Sequence, residues 1–222
     1  MTGVAGALRA ALDPYRLATS APHTAWGFQS RWRIVRGVDT HDRASLDSPD
    51  ATPPLVLVHG LAVSHRYLMP LAAKLAGHHP VHVIDLPGFG LSSDPGRVLN
   101  VAEHADHLAD WLEGNRVATH CGAWQFVRLQ VVVDLAVRYP DRVRGLVLVG
   151  PTMDPAARTA FRQILRWLGN TALEDPLQLP ILARDLRDAG PQRVAGTLAH
   201  ALADPIEHKL PLISVPVLVT RG

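Results

Sequence analysis

The chain of 222 residues is 47% hydrophobic and 19% charged, which suits one generous domain with a buried core and excludes a disordered or collagen-like chain. Its 22 Lys plus Arg against 20 Asp plus Glu leave a net charge of +2 without a basic cluster, so composition makes no case for nucleic acid as a partner. The single cysteine, Cys121, excludes an internal disulfide and fits a reducing, cytoplasmic compartment. Met1 to Leu12 lacks a signal-peptide pattern, and no apolar run nears the roughly 18 residues of a bilayer span, so a soluble protein without a membrane partner is expected.

In chain order, Ala25 to Val38 alternates Trp26, Phe28, Trp32 and Ile34 with smaller or polar residues, predicting antiparallel edge strands. Ser45 to Thr52, rich in Asp and Ser, reads as a loop. Pro54-Leu-Val-Leu-Val-His-Gly60 is a short apolar run of the kind buried on both faces of a sheet. Ser64 then caps a helix with Leu68, Leu71, Leu75 and Ala76 at helical spacing. Val81 to Leu86 predicts the next strand, closed by Pro87-Gly-Phe-Gly90, and Val101 to Glu113 predicts a helix with Ala105, Leu108 and Leu112 on one face. A weak strand at Arg116 to His120, a helix at Gln130 to Tyr139 stopped by Pro140, and a strong strand at Val143 to Val149 follow. Such alternation implies a mostly parallel sheet flanked by helices.

From Asp154 to Leu212 the strand pattern vanishes. Phe161, Ile164, Leu165 and Leu168 form an apolar stripe expected to line a core or a cap, and Val194 to Leu202 suggests another helix, before a strand returns at Val215 to Thr220. Twelve histidines are present. His104 and His107 have no third ligand at a recognisable spacing and read as exposed helix residues; His78 and His79 read as a solvated turn. Gly88 and Gly90 lack the G-x-G-x-x-G spacing of a phosphate cradle. No metal and no cofactor is expected.

Four blocks, Leu55-Val-Leu-Val-His-Gly-Leu61, Asp85-Leu-Pro-Gly-Phe-Gly-Leu-Ser92, Asp134-Leu-Ala-Val-Arg-Tyr-Pro-Asp-Arg-Val143 and Leu146-Val-Leu-Val-Gly-Pro151, occur in the order of the α/β-hydrolase superfamily, which the chain resembles from about Trp26 to Gly222. The resemblance is to capped esterases, lactonases, epoxide hydrolases and C–C bond hydrolases. It implies an α/β-hydrolase core over 1–153, a helical cap over 154–212 and a return to the core sheet over 213–222, the chain ending before the family's last strand and helix. It also implies a nucleophile–His–acid triad, with the nucleophile on a strand-to-helix elbow of the form Gly-x-Ser-x-Gly and backbone N–H groups holding an oxyanion. Gly60 and Leu61 match the oxyanion turn, the Leu61 N–H being the donor, and His59 beside them reads as a structural hydrogen-bonding residue.

The elbow itself does not match. Thr119-His-Cys-Gly-Ala-Trp-Gln-Phe-Val-Arg-Leu129 contains neither serine nor aspartate, and the family register puts the nucleophile at Phe126. Cys121, in the small-x-Cys-x-small setting of Thr119 to Ala123, is a candidate thiol nucleophile, although a lone cysteine beside a strand also reads as a small buried hydrophobe. Asp154 is a candidate triad acid, although Asp154-Pro155 also reads as a helix N-cap followed by Pro at the first helical position. The positions at which the family carries its usual acid and its histidine fall beyond Gly222. One set of codons for Trp124 to Leu129, TGG CAA TTC GTT CGG CTG followed by C, gives Gly-Asn-Ser-Phe-Gly-Cys when read one nucleotide later, which points to a frameshifted stretch from about Thr119 to Leu129. The expectation is a hydrolase lineage with little or no remaining turnover. The alternatives are a non-catalytic binder of a small apolar or ester-like molecule, or a decayed product that self-associates through an exposed sheet edge.

Overall fold

The computed structural model describes residues 24–25, 27–47, 52–115, 122–126, 129–149, 159–171 and 176–220. The sheet begins with three antiparallel strands, β1 (Thr24–Ala25), β2 (Phe28–Val35) and β3 (Val38–Ser45). Arg36 and Gly37, at φ of 50° and 77°, close the β2–β3 hairpin, since a two-residue turn matched to strand twist requires positive φ at both central positions.

From β4 (Leu55–Val58) onward the chain alternates strand and helix. Helix α1 (His65–Leu75) is capped by Ser64, whose Oγ accepts the Arg66 N–H at 3.3 Å. Strand β5 (Val81–Ile84) leads to α2 (Val101–Gly114), which opens with a reciprocal capping box: the Glu103 N–H donates to Asn100 Oδ1 at 2.9 Å and the Asn100 N–H donates to Glu103 Oε2 at 2.8 Å. Strand β6 (Gly122–Phe126), helix α3 (Leu129–Arg138) and strand β7 (Leu146–Val149) follow. Four further helices, α4 (Ala160–Thr171), α5 (Leu179–Ala189), α6 (Pro191–Ala203) and the one-turn α7 (Ile206–Lys209), separate β7 from β8 (Val217–Thr220). No helix among the described residues is long and apolar enough to cross a membrane.

The described strands form one sheet in the order β1-β2-β3-β5-β4-β6-β7-β8, antiparallel through the β3–β5 pair and parallel from β5 to β8. Alternate side chains of β4 feed two cores, as the strand period of two requires. Val56 and Val58 pack with Leu108, Trp111, Val132 and Leu135 of α2 and α3. Leu55 and Leu57 pack with Leu68, Met69 and Ala72 of α1. Helices on both faces explain why β4 and β7 read as unbroken apolar runs.

The strand expected at Arg116 to His120 lies outside the described residues; the described strand Gly122–Phe126 pairs with β4 and β7. Three local expectations are corrected. In β2, Phe28 and Ser30 are buried whereas Trp32 and Ile34 on the same face are 46% and 74% exposed, because the cover over that face runs out. His104 and His107 are buried, not exposed: α2 is packed on two sides, against the sheet and against α3. In the stripe on α4, Phe161, Ile164 and Leu165 are exposed rather than part of a core, and the Leu168 side chain lies outside those described.

Candidate active site

In β4, the chain stands between a strand formed later on one side, β5, and one formed later still on the other, β6. Crossovers that leave in opposite directions open a crevice at the carboxyl ends of the strands, where open α/β sheets bind ligands. The turn His59-Gly60-Leu61-Ala62 emerges there. His59 is fully buried; its Nε2 accepts the Leu86 N–H at 2.9 Å, so Nδ1 carries the proton and donates to the Gly60 carbonyl at 2.9 Å. With both nitrogens engaged and Phe89 against its ring at 5.4 Å, His59 fixes the turn's shape. Ala62 completes the turn at φ 61°, a left-handed conformation that a non-glycine residue holds only when its surroundings impose it.

Directly after β5, Asp85 anchors the turn's surroundings. Its carboxylate accepts four N–H groups: His41 Nδ1 at 2.8 Å, His65 Nδ1 at 2.6 Å, the His65 backbone at 2.7 Å and the Leu91 backbone at 3.0 Å. His41 Nε2 in turn accepts the Ser30 hydroxyl at 3.0 Å. Ser92 Oγ donates to the Asp85 carbonyl at 2.7 Å and accepts the His41 N–H at 2.9 Å. Thus β2, β3, the end of β5 and the first turn of α1 are tied at one carboxylate. Gly90, at φ 59°, is required here because a Cβ would strike the Asp85 carboxylate.

The His41, His65 and Asp85 donor atoms are close enough to share a metal ion. A cation would have to displace four N–H groups already aimed at the carboxylate, so the set fits a hydrogen-bonded knot better than a metal cage. Burial raises the energy of the Asp85 carboxylate, but the electrostatic pull and hydrogen bonds of the His65 and His41 imidazoles outweigh it and hold its pKa well below the usual range. Burial pushes the His65 imidazole down to about 4, and does the same to His107. His107 Nε2 lies 2.8 Å from Thr40 Oγ1, whose hydroxyl donates to the Val38 carbonyl at 3.1 Å, so the imidazole is the donor.

A pH dependence follows. Unfolded, both histidines bind protons near pH 6.5; folded, they stay neutral until about 4. The unfolded state therefore takes up protons first as pH falls, and stability is complete above about 6.5 and lost toward 4. Each residue contributes on the order of 3 kcal/mol to that loss. The urea midpoint is expected to be level between pH 8 and 7 and to fall steeply from pH 6.5 to 4; a midpoint unchanged down to pH 5 contradicts the assignment.

A second buried cluster binds the helical segment to the same turn. The Ser64 hydroxyl donates to both Asp185 carboxylate oxygens at 2.9 Å, and Arg66 Nη1 reaches Asp185 Oδ1 at 2.6 Å and Asp188 Oδ2 at 3.4 Å. Asp185 and Arg66 are 3% and 2% exposed. Burial raises the Asp185 pKa against the pull of Arg66 and Ser64.

The model of the alpha/beta hydrolase family matches residues 55–219. The chain belongs to the alpha/beta hydrolase family. Pimeloyl-[acyl-carrier protein] methyl ester esterases are among this chain's relatives. That of Aeromonas salmonicida is 30% identical over 130 residues, 51% of this chain and 48% of the relative. That of Shewanella oneidensis is 29% identical over 183 residues, 67% of this chain and 65% of the relative. The chain thus spans about half to two thirds of these relatives' length. The crystal structure of E-2-(acetamidomethylene)succinate hydrolase shares the fold at a TM-score of 0.68 and 19% identity, covering 88% of this chain and 81% of that one.

Of the sequence candidates, Gly60 and Leu61 stand at the carboxyl end of β4, on the side where β6 ends at Phe126. Cys121 and Asp154 lie outside the described residues. Gly122, the neighbour of Cys121, pairs with Leu55 at the opposite end of β4 from Gly60. A cavity of about 460 Å³ also opens at that opposite end, against Leu55, Leu146 and Val217, away from the turn. His41, His65 and Asp185 had no place in the sequence expectations. For Asp185 a signal existed: it follows Ile181 and Leu182 at the spacing of α5's buried face, where an acid needs a partner.

Proposed function

We propose that this chain descends from hydrolases of an ester, lactone, epoxide or C–C bond acting through a nucleophile–His–acid triad, and that as written it has little or no such activity. The observation that carries the reading is the end of β6 at Phe126 with α3 beginning at Leu129. That strand-to-helix turn is where the family's nucleophile belongs, and phenylalanine offers no nucleophilic atom. One of the codon sets that encode Trp124 to Leu129, read one nucleotide later, puts a serine at the Phe126 position, and this motivates the reading of a frameshifted elbow. The methyl ester esterases among the relatives make an ester the favoured lineage substrate. The helices between β7 and β8 would act as the cap, and the protein would work in the cytoplasm.

A second reading, a non-catalytic binder of a small apolar or ester-like molecule, draws on the intact Gly60–Leu61 turn, whose Leu61 N–H would hold a carbonyl oxygen. The test is release of p-nitrophenol from a short-chain ester by the chain and by its Cys121→Ala variant. Neither is expected to exceed the uncatalysed rate. Turnover abolished by Cys121→Ala would establish the thiol as nucleophile, and turnover kept by the variant would place a nucleophile elsewhere; both overturn the proposal. A cooperative melt without turnover favours the binder, and no melt favours decay. Codons at Thr119 to Leu129 whose shifted frame lacks a small-x-Ser-x-small elbow would remove the frameshift.

A further inference from the structure

The cavity of about 460 Å³ lies where β4, β7 and β8 begin, at the opposite end of the strands from the Gly60 turn. Its size is within the range of about 300–1,000 Å³ over which proteins hold small molecules. The walls are aliphatic: Leu55, Leu146 and Val147 are buried, whereas Leu218, paired with Val147, is 53% exposed. Cover over the sheet thus ends between β7 and β8 and leaves apolar wall facing water. Two lining side chains are basic, Arg144 and His79, and none is acidic.

The two basic residues are held in place by the backbone around them. The Leu146 N–H donates to the Pro216 carbonyl at 2.9 Å, and Gly145 approaches that oxygen so closely that a Cβ would lie 3.2 Å from it; this seats Arg144 beside the start of β8. His79 donates from Nδ1 to the Pro53 carbonyl at 3.1 Å. Arg142, two residues before Arg144, is engaged by Glu113 at 2.8 Å and by the Ala109 carbonyl at 2.7 Å. Arg144 is exposed and, among the described residues, has no ion-pair partner.

We propose that this cavity binds an aliphatic monocarboxylate, its chain along Leu55, Val147 and Leu218 and its carboxylate on the Arg144 guanidinium. An apolar hollow bordered by an unpaired cation and by no acid complements a chain with one negative end. A neutral chain leaves the guanidinium unused, and a cationic one is repelled by it. The site does not depend on whether the Gly60 turn takes part in turnover.

Equilibrium dialysis of the whole chain against decanoate tests the site. Decanoate is expected to bind about tenfold more tightly than octanoate, because two further methylenes leave water, and about fivefold more tightly than decanol, which lacks the charge. Arg144→Gln is expected to erase the preference over decanol. Leu218→Glu, which sets a negative charge in the wall, is expected to weaken decanoate binding at least about tenfold. Both residues are exposed, so both variants should melt as the parent does. Decanoate binding that neither variant changes places the ligand elsewhere, such as the crevice at Gly60, and overturns the proposal. Equal binding of decanoate and decanol by the unaltered chain overturns it too, as does absence of binding by a chain that melts cooperatively. A chain without a cooperative melt also overturns it, because the hollow exists only between packed strands.

Discussion

Replacing Asp85 by alanine is expected to cost at least about 4 kcal/mol and to leave the chain largely unfolded at ambient temperature. Three buried N–H donors, one from His41 and two from His65, and the half-buried Leu91 N–H would lose their acceptor at once. Each buried donor left unsatisfied costs about 1–3 kcal/mol, and a domain has only about 5–15 kcal/mol in hand. Asp85→Asn should cost less. The two imidazoles can move their protons to Nε2 and accept from the new amide, although Nε2 of His41 then has to donate to Ser30. Urea denaturation of the three proteins checks both the size and the ranking. An alanine variant within about 1 kcal/mol of the parent would mean that the knot is not what holds β2, β3, β5 and α1 together.

The second large effect is expected at Asp185. Its removal leaves Arg66 buried without its 2.6 Å partner, and Asp188 at 3.4 Å replaces it poorly. Asp185→Ala should therefore cost about 3–5 kcal/mol. The double variant Arg66→Met/Asp185→Leu removes both charges and should recover most of that loss, since an apolar pair of similar volume is often neutral or better. If the single variant costs less than about 1 kcal/mol, or the double variant is no better than the single, the energetics assigned to the pair fail. Because Ser64 also donates to Asp185, amide exchange over residues 60–66 should quicken in Asp185→Ala more than over β7. That pattern would show the helical segment steadying the Gly60 turn.

Strands β4 and β7 announce themselves as unbroken aliphatic runs, and β5 and β8 as valine-rich ones interrupted by His82 and closed by Thr220, a composition that doubly covered or parallel-paired strands favour. Strand β6 does not announce itself. Gly-Ala-Trp-Gln-Phe contains no β-branched residue and opens on Gly-Ala, both poor strand formers, and its pairing with β4 and β7 places it in the sheet. The turn at Gly60 was readable because it is a contiguous motif. The knot at Asp85 was not: it joins β2, β3, the β5 end and α1, and no spacing along the chain encodes that meeting. Similarly, the burial of His104 and His107 follows from packing of α2 on two sides, which helical periodicity alone does not fix.

The order of strands after β5 has a bearing on how the molecule comes into being on the ribosome. Counting from β4, the sheet grows β4, β6, β7, β8, each strand added at the edge left open by its predecessor and in the order of synthesis. An emerging strand then finds its template already made, which limits the search that non-local parallel pairing otherwise imposes. The same arrangement makes β6 a single point of dependence, since β7 has no template until β6 is in place. A lesion in the Thr119 to Leu129 stretch would thus reach past the missing nucleophile, delaying every strand that follows and lengthening the time for which the open edge of β4 can meet another chain.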